Sequence, residues 1–116
     1  MRHHDRNRKL GREKRQRVAL LRNLARSLIL KEGITTTEAK AKALRPYVER
    51  LVTSAKRNSL AGTRAAAKRL GSEETNKKLK ELAERYGKRA GGYTRIVRLG
   101  RIGKRVGDMS RIEFVK

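Results

Sequence analysis

The fold turns on residues 34–55, which read Ile34-Thr35-Thr36-Thr37-Glu38-Ala39-Lys40-Ala41-Lys42-Ala43-Leu44 and continue as Arg45-Pro46-Tyr47-Val48-Glu49-Arg50-Leu51-Val52-Thr53-Ser54-Ala55. The first four residues are β-branched throughout and too few for a helix, so they predict a short strand. Beyond them the apolar residues repeat at threes and fours: Ala41, Leu44, Val48, Leu51, Val52 and Ala55 form one stripe, with Lys42, Arg45, Glu49 and Lys56 to one side. That period predicts a helix that buries one face. Thr35, with Glu38 three residues later, fits a capping box at its start. Pro46 lacks the N–H that a helix interior uses, so a kink or restart is expected there.

Upstream, Leu21, Leu24, Ala25 and Leu28 make a second stripe, and Arg15, Arg22 and Arg26 line another face. A helix from about residue 13 to 31 would bury the leucines and present the arginines outward. Glu32-Gly33 is expected to close it, with Gly33 taking the left-handed turn. Downstream, a small-residue helix over about 59–70 runs through Ala65-Ala66-Ala67. Gly71-Ser72-Glu73-Glu74 then supplies a stop, an N-cap and first-turn acids for another helix. Leu79, Leu82, Ala83 and Tyr86 form its buried stripe, and Gly87 ends it. After Gly91-Gly92 the chain turns β-rich, in Tyr93–Leu99 and again in Ile112–Val115. The connection between them carries Gly100, Gly103 and Gly107 among basic residues, which suits a hairpin tip better than a phosphate-binding loop. The predicted class is α+β: helices packed on a small mixed sheet made of the strand after the first helix and a C-terminal hairpin.

The 116 residues carry 33 Lys+Arg against 11 Asp+Glu, a formal charge of +22. Self-repulsion on that scale opposes compaction, so a polyanionic partner is expected. The excess is uneven. Residues 1–17 hold Arg2, Arg6, Arg8, Lys9, Arg12, Lys14, Arg15 and Arg17 against Asp5 and Glu13, with only Met1 and Leu10 apolar. Residues 1–12 therefore read as a basic arm that orders on binding, and residues 13–116 as a single α+β body. Arginine predominates in this stretch, and its planar fork binds phosphate bidentately and stacks on bases.

Other classes fall away. No cysteine is present, which removes disulfides, thiolate nucleophiles and Cys-ligated zinc. The longest apolar run, Val18-Ala19-Leu20-Leu21, is far short of the ~20 residues a membrane span needs. No secretory signal is evident, and the absence of Ser before Ser27 speaks against an organellar transit peptide. Catalysis has little support: both histidines, His3 and His4, lie in the arm, and the acids are scattered among lysines and arginines. The amine of Met1 with His3 offers a donor set for square-planar Cu(II) or Ni(II), but phosphate contact is the better reading of these imidazoles. RNA is favoured over DNA because no groove-entering element is evident and an arm suits irregular RNA read by shape. Tyr47, Tyr86, Tyr93 and Phe114 do not form a stacking platform for single strands. A DNA-coating protein would call for a symmetric dimer or a groove-entering helix, and a membrane-active cationic protein for longer apolar stripes.

Several segments together carry a family resemblance. Met1-Arg2-His3, Leu10-Gly11-Arg12, Ala19-Leu20-Leu21-Arg22-Asn23-Leu24-Ala25 with Ser27-Leu28, and Ile34-Thr35-Thr36-Thr37 with Ala39-Lys40-Ala41-Lys42-Ala43-Leu44-Arg45 occur in a recognisable order. Gly91-Gly92-Tyr93-Thr94-Arg95-Ile96 and Ile112-Glu113 complete it. The set resembles bacterial large-subunit ribosomal protein seventeen over nearly the whole chain. The resemblance implies a structural, non-enzymatic protein of the cytoplasmic ribosome, without a cofactor, small-molecule substrate or membrane partner. It further implies binding to large-subunit ribosomal RNA near the rim of the peptide exit tunnel, beside neighbouring ribosomal proteins. Family RNA-contacting positions map onto Arg2, His3, Arg8, Lys9 and Arg12 in the arm, joined there by Arg6. They continue through Arg15, Arg17 and Arg22 of the first helix, then Lys40 and Lys42, then Tyr93, Thr94 and Arg95, with Lys104 and Arg105 supplying charge at the hairpin tip. Where the family has a histidine entering the first helix this chain has Gln16, so that contact is not carried over. At the hairpin tip Val106-Gly107-Asp108 runs directly into Met109, a departure from the family pattern.

Overall fold

The three consecutive threonines take the extended conformation that a branched Cβ favours, giving strand β1 (Gly33–Thr37). The computed structural model describes residues 13–57, 60–101, 103 and 107–116. In chain order the elements are α1 (Lys14–Lys31), β1, α2 (Glu38–Lys56), α3 (Leu60–Leu70), α4 (Glu73–Arg85), β2 (Thr94–Gly100) and β3 (Met109–Phe114). The class is α+β, with helices against a small sheet that ends in a hairpin.

The sheet order is β1-β3-β2, and β3 runs antiparallel to both neighbours. It is thus antiparallel throughout, where a mixed sheet was expected. Ile34, Ile112 and Ile96 stand side by side across it, and Ile112 and Phe114 are buried beneath the helices. The alternate rows, Gly33–Glu113–Arg95 and Thr35–Arg111–Val97, face away.

Three local expectations need correction. Glu32, not Gly33, takes the left-handed turn, with φ 63° and its N–H on the Leu28 carbonyl at 2.7 Å. Gly33 is already extended, and a Cβ there would meet the movable Arg111 guanidinium and come within 3.3 Å of Glu113 Cβ. Thr37, not Thr35, caps α2, its hydroxyl accepting from the Lys40 N–H at 3.3 Å, while Glu38 occupies the first turn. The strand runs to the last threonine, so the cap falls there. Finally, α2 passes through exposed Pro46 as one element rather than restarting. The helix is held on both sides of the missing bond by its buried stripe.

A second turn links α3 to α4. Gly71 is left-handed (φ 64°) and its N–H bonds the Ala67 carbonyl at 2.8 Å. The Ser72 hydroxyl accepts from the Thr75 N–H at 3.5 Å, with Glu73 and Glu74 in the positive first turn of α4. One cluster forms the core, with Leu28 and Ile29 from α1, Leu44, Val48, Leu51 and Val52 from α2, and Leu79 and Leu82 from α4. Tyr86 joins helices to sheet. Its ring lies 5.3 Å from Tyr93 and 6.3 Å from Phe114, and its hydroxyl donates to the Val115 carbonyl.

Candidate nucleic-acid interface

Charge becomes a surface only where it is not cancelled, so the acids decide which cations can meet phosphate. Several are engaged. Glu38 lies 2.9 Å from Lys42 and 3.4 Å from Arg98, joining α2 to β2. Glu113 lies 3.1 Å from Arg95 and 3.7 Å from Arg111. Glu49 accepts from the Thr94 hydroxyl at 2.9 Å and its N–H at 3.3 Å, with Arg45 at 3.6 Å.

Glu32 is the tightest of these centres. Arg85 and Lys78 of α4 both donate to its carboxylate, Lys78 at 3.0 Å. Hydrogen bonds from Arg85 and then Lys78, with their charges, hold the carboxyl at about 2, against an ordinary 4.5, despite the opposing effect of partial burial. The Arg85 guanidinium is correspondingly raised by Glu32. Glu38 is lowered in the same way by Lys42.

Against this background α1 differs. Among the described residues Arg15, Arg17 and Arg22 form no ion pair with an acid. Arg15 is exposed. Arg17 and Arg22 are half-buried, and the Nε of each is enclosed with no hydrogen-bond partner among the described residues. A desolvated guanidinium donor without an acceptor is costly. Arg26, which shares the Arg15/Arg22 face, is otherwise engaged: its Nε donates to the Leu70 carbonyl and closes the end of α3. The expectation that all three arginines point outward therefore holds for Arg15 alone.

The other candidates separate cleanly. Lys40 is half-buried, and Lys42 is exposed but paired with Glu38. Tyr93 and Thr94, placed among RNA-contacting positions by the resemblance, have their side chains inside, each 2% exposed. The Tyr93 hydroxyl meets Lys56 Nζ at 3.0 Å and Thr53 Oγ1 at 3.3 Å, and the Lys56 ammonium lies 5.0 Å from the ring centre. Burial pushes this phenol up, but the bonds to Thr53 and Lys56 outweigh it and leave the group lowered. Arg95 is exposed and shared with Glu113. Arg2, His3, Arg6, Arg8, Lys9, Arg12, Lys104 and Arg105 lie outside the described residues.

Arg50, Arg57 and Arg69, which belong to no motif in the sequence, line a cleft between α2 and α3. The one sequence signal for them is the seven-residue spacing of Arg50 and Arg57 away from the α2 stripe, which sets them two turns apart on one face. No three acid or histidine side chains among the described residues gather as a metal site. No helix among them is long and apolar enough to cross a membrane.

The family model for ribosomal protein L17 matches residues 20–115. A protein of Gemmatimonas aurantiaca named large ribosomal subunit protein bL17 is 48% identical, covering 99% of this chain and 98% of its own length. Proteins of the same name from Hydrogenobaculum sp. and Sphingopyxis alaskensis are 51% and 52% identical. The first covers 100% of both chains, the second 99% of this chain and 84% of its own length. With the match running from the middle of α1 through the last strand and the identities near one half, the chain belongs to the ribosomal protein L17 family.

Proposed function

We propose that this protein is a non-catalytic, structural component of the large ribosomal subunit in the cytoplasm, binding large-subunit ribosomal RNA beside neighbouring ribosomal proteins. The observation that carries the reading is family membership over almost the whole chain, with relatives named for that subunit. The charge geometry gives it a mechanism. Glu38 and Glu49 of α2, Glu81 of α4 and Glu113 of β3 are engaged by the protein's own lysines and arginines, whereas Arg15, Arg17 and Arg22 on α1 have no acidic partner among the described residues. Half-buried guanidiniums with no acidic partner among the described residues suit phosphates held at fixed positions.

In this proposal residues 1–12 act as an arm threading between RNA helices, and residues 13–116 act as the docked body. The hairpin tip with Lys104 and Arg105 adds a second basic contact. The place near the rim of the peptide exit tunnel follows from the family resemblance. Side chains of Tyr93 and Thr94 support the interface from beneath, holding the segment that presents Arg95.

Reversing charge with Arg15→Glu and Arg22→Glu should reduce incorporation into large subunits far more than Glu73→Lys with Glu74→Lys, read by sedimentation of lysates. Binding to isolated RNA should weaken steeply with salt, each neutralised phosphate adding roughly 0.7–0.9 to the log–log slope. Equal effects of the two charge reversals would refute the α1 interface. Recovery of the protein with nucleoid DNA or membranes instead of subunits would refute the function.

A further inference from the structure

We infer that the cleft between α2, α3 and the Gly91–Tyr93 segment is a second RNA site, which takes one nucleotide turned out of its helix and holds the flanking phosphates on Arg50, Arg57 and Arg69. The inference rests on the RNA-binding function proposed above, but the site shares no residue with the α1 interface.

The cleft encloses about 510 Å³, within the range of sites that surround a single small ligand. Three arginines stand on its walls. All three are exposed, and among the described residues none is paired with an acid. Glu49 also lines the cleft, but its carboxylate is turned to Thr94 and Arg45 and does not neutralise the three. Three cationic residues lining one cleft favour an anionic occupant.

The rest of the lining identifies that anion. Pro46, Leu51 and Ala65 provide apolar surface between the charges, as the face of a base or ribose requires. Tyr93, fixed by Lys56 and Thr53, gives the cleft a rigid edge. Arg50 and Arg57 stand two turns apart, about 10 Å along α2. Each can take its own phosphate at that spacing, whereas a lone carboxylate cannot serve both. A concave site with an apolar floor suits an unstacked nucleotide rather than the convex surface of an A-form helix.

Intact large subunits containing the full chain would be irradiated with ultraviolet light, digested, and searched by mass spectrometry for peptides carrying nucleotide adducts. Adducts within residues 46–57 or 64–69, in addition to those on α1, are the expected result. Adducts on α1 alone overturn the cleft site and leave the RNA-binding function standing; adducts on neither overturn both. A protein neighbour filling the cleft in a map of the assembled subunit overturns the site as well. A second measurement uses Arg57→Gln with Arg69→Gln, both surface positions, after circular dichroism has shown the fold intact. Affinity for isolated large-subunit RNA should fall roughly tenfold and the salt slope by about 1 to 2. An unchanged slope refutes the assignment.

Discussion

Replacing Glu32 with Gln keeps the size and the left-handed backbone of that residue while removing the charge that Arg85 and Lys78 share. The interval between an ordinary carboxyl at 4.5 and the folded value of about 2 corresponds to a ceiling of roughly 3 kcal/mol. The Glu32 side chain is 37% exposed and Arg85 36%, so solvent screening cuts this to about 1 kcal/mol. Because the folded carboxyl is depressed, the contribution is complete above pH 4.5 and disappears as pH falls toward 2. Urea unfolding of both chains, followed by circular dichroism at about pH 7, 4 and 3, should show a gap of about 1 kcal/mol that shrinks across the last two points. A gap that stays constant with pH, or one below about 0.3 kcal/mol at neutral pH, would show that the Glu32 charge does not stabilise the fold through Arg85 and Lys78. Glu32→Gly loses the same ion pairs but relieves a left-handed non-glycine residue, so it should be more stable than Glu32→Gln by roughly 0.5–1 kcal/mol. A less stable glycine variant would show that φ 63° costs nothing here.

Packing and capping yield two more expected outcomes. Tyr93→Phe removes the hydroxyl held by Lys56 and Thr53 and should cost about 1 kcal/mol, whereas Tyr93→Ala opens the core and should cost about 3–5 kcal/mol. Thermal unfolding measures both, and if Tyr93→Phe at full folding lost RNA affinity tenfold, a direct contact would replace the buried role. Ser72→Ala and Thr37→Ala should each lower stability by about 1 kcal/mol through loss of an N-cap. Thr35→Ala should cost less than Thr37→Ala in urea unfolding, and the reverse order would reinstate the capping box at Thr35.

Much of the fold is legible because burial repeats with the helix period. Ala41, Leu44, Val48, Leu51 and Val52 are all buried, as their spacing predicts, and Ser72 caps α4 where its position before Glu73-Glu74 says it should. Other features depend on contacts that are distant in sequence. Glu-Gly at the end of a helix does not say which residue turns left-handed. Here Glu32 takes the turn and Gly33 already belongs to β1, paired with Glu113 of β3. Arg26 looks like Arg15 and Arg22 until α3 brings the Leu70 carbonyl to it. Tyr93-Thr94 lies in a β-rich run, and alternation alone does not say which side of a strand faces the helices. Arg50, Arg57 and Arg69 come from two helices, so no local pattern announces their cleft.

Placing β3 between β1 and β2 has a consequence for the order of events during synthesis. The strand to which both earlier strands hydrogen-bond is made after them, and β1 waits through all the intervening helices before it can pair. Long sequence separation between partners slows pairing through the entropy of closing the loop. On a growing chain the helices can associate early, but no strand of the sheet can pair until β3 has been made. Until then the backbone edges of β1 and β2 stay open to other chains. For a protein with this much positive charge, mutual repulsion between nascent copies is a ready protection during that interval.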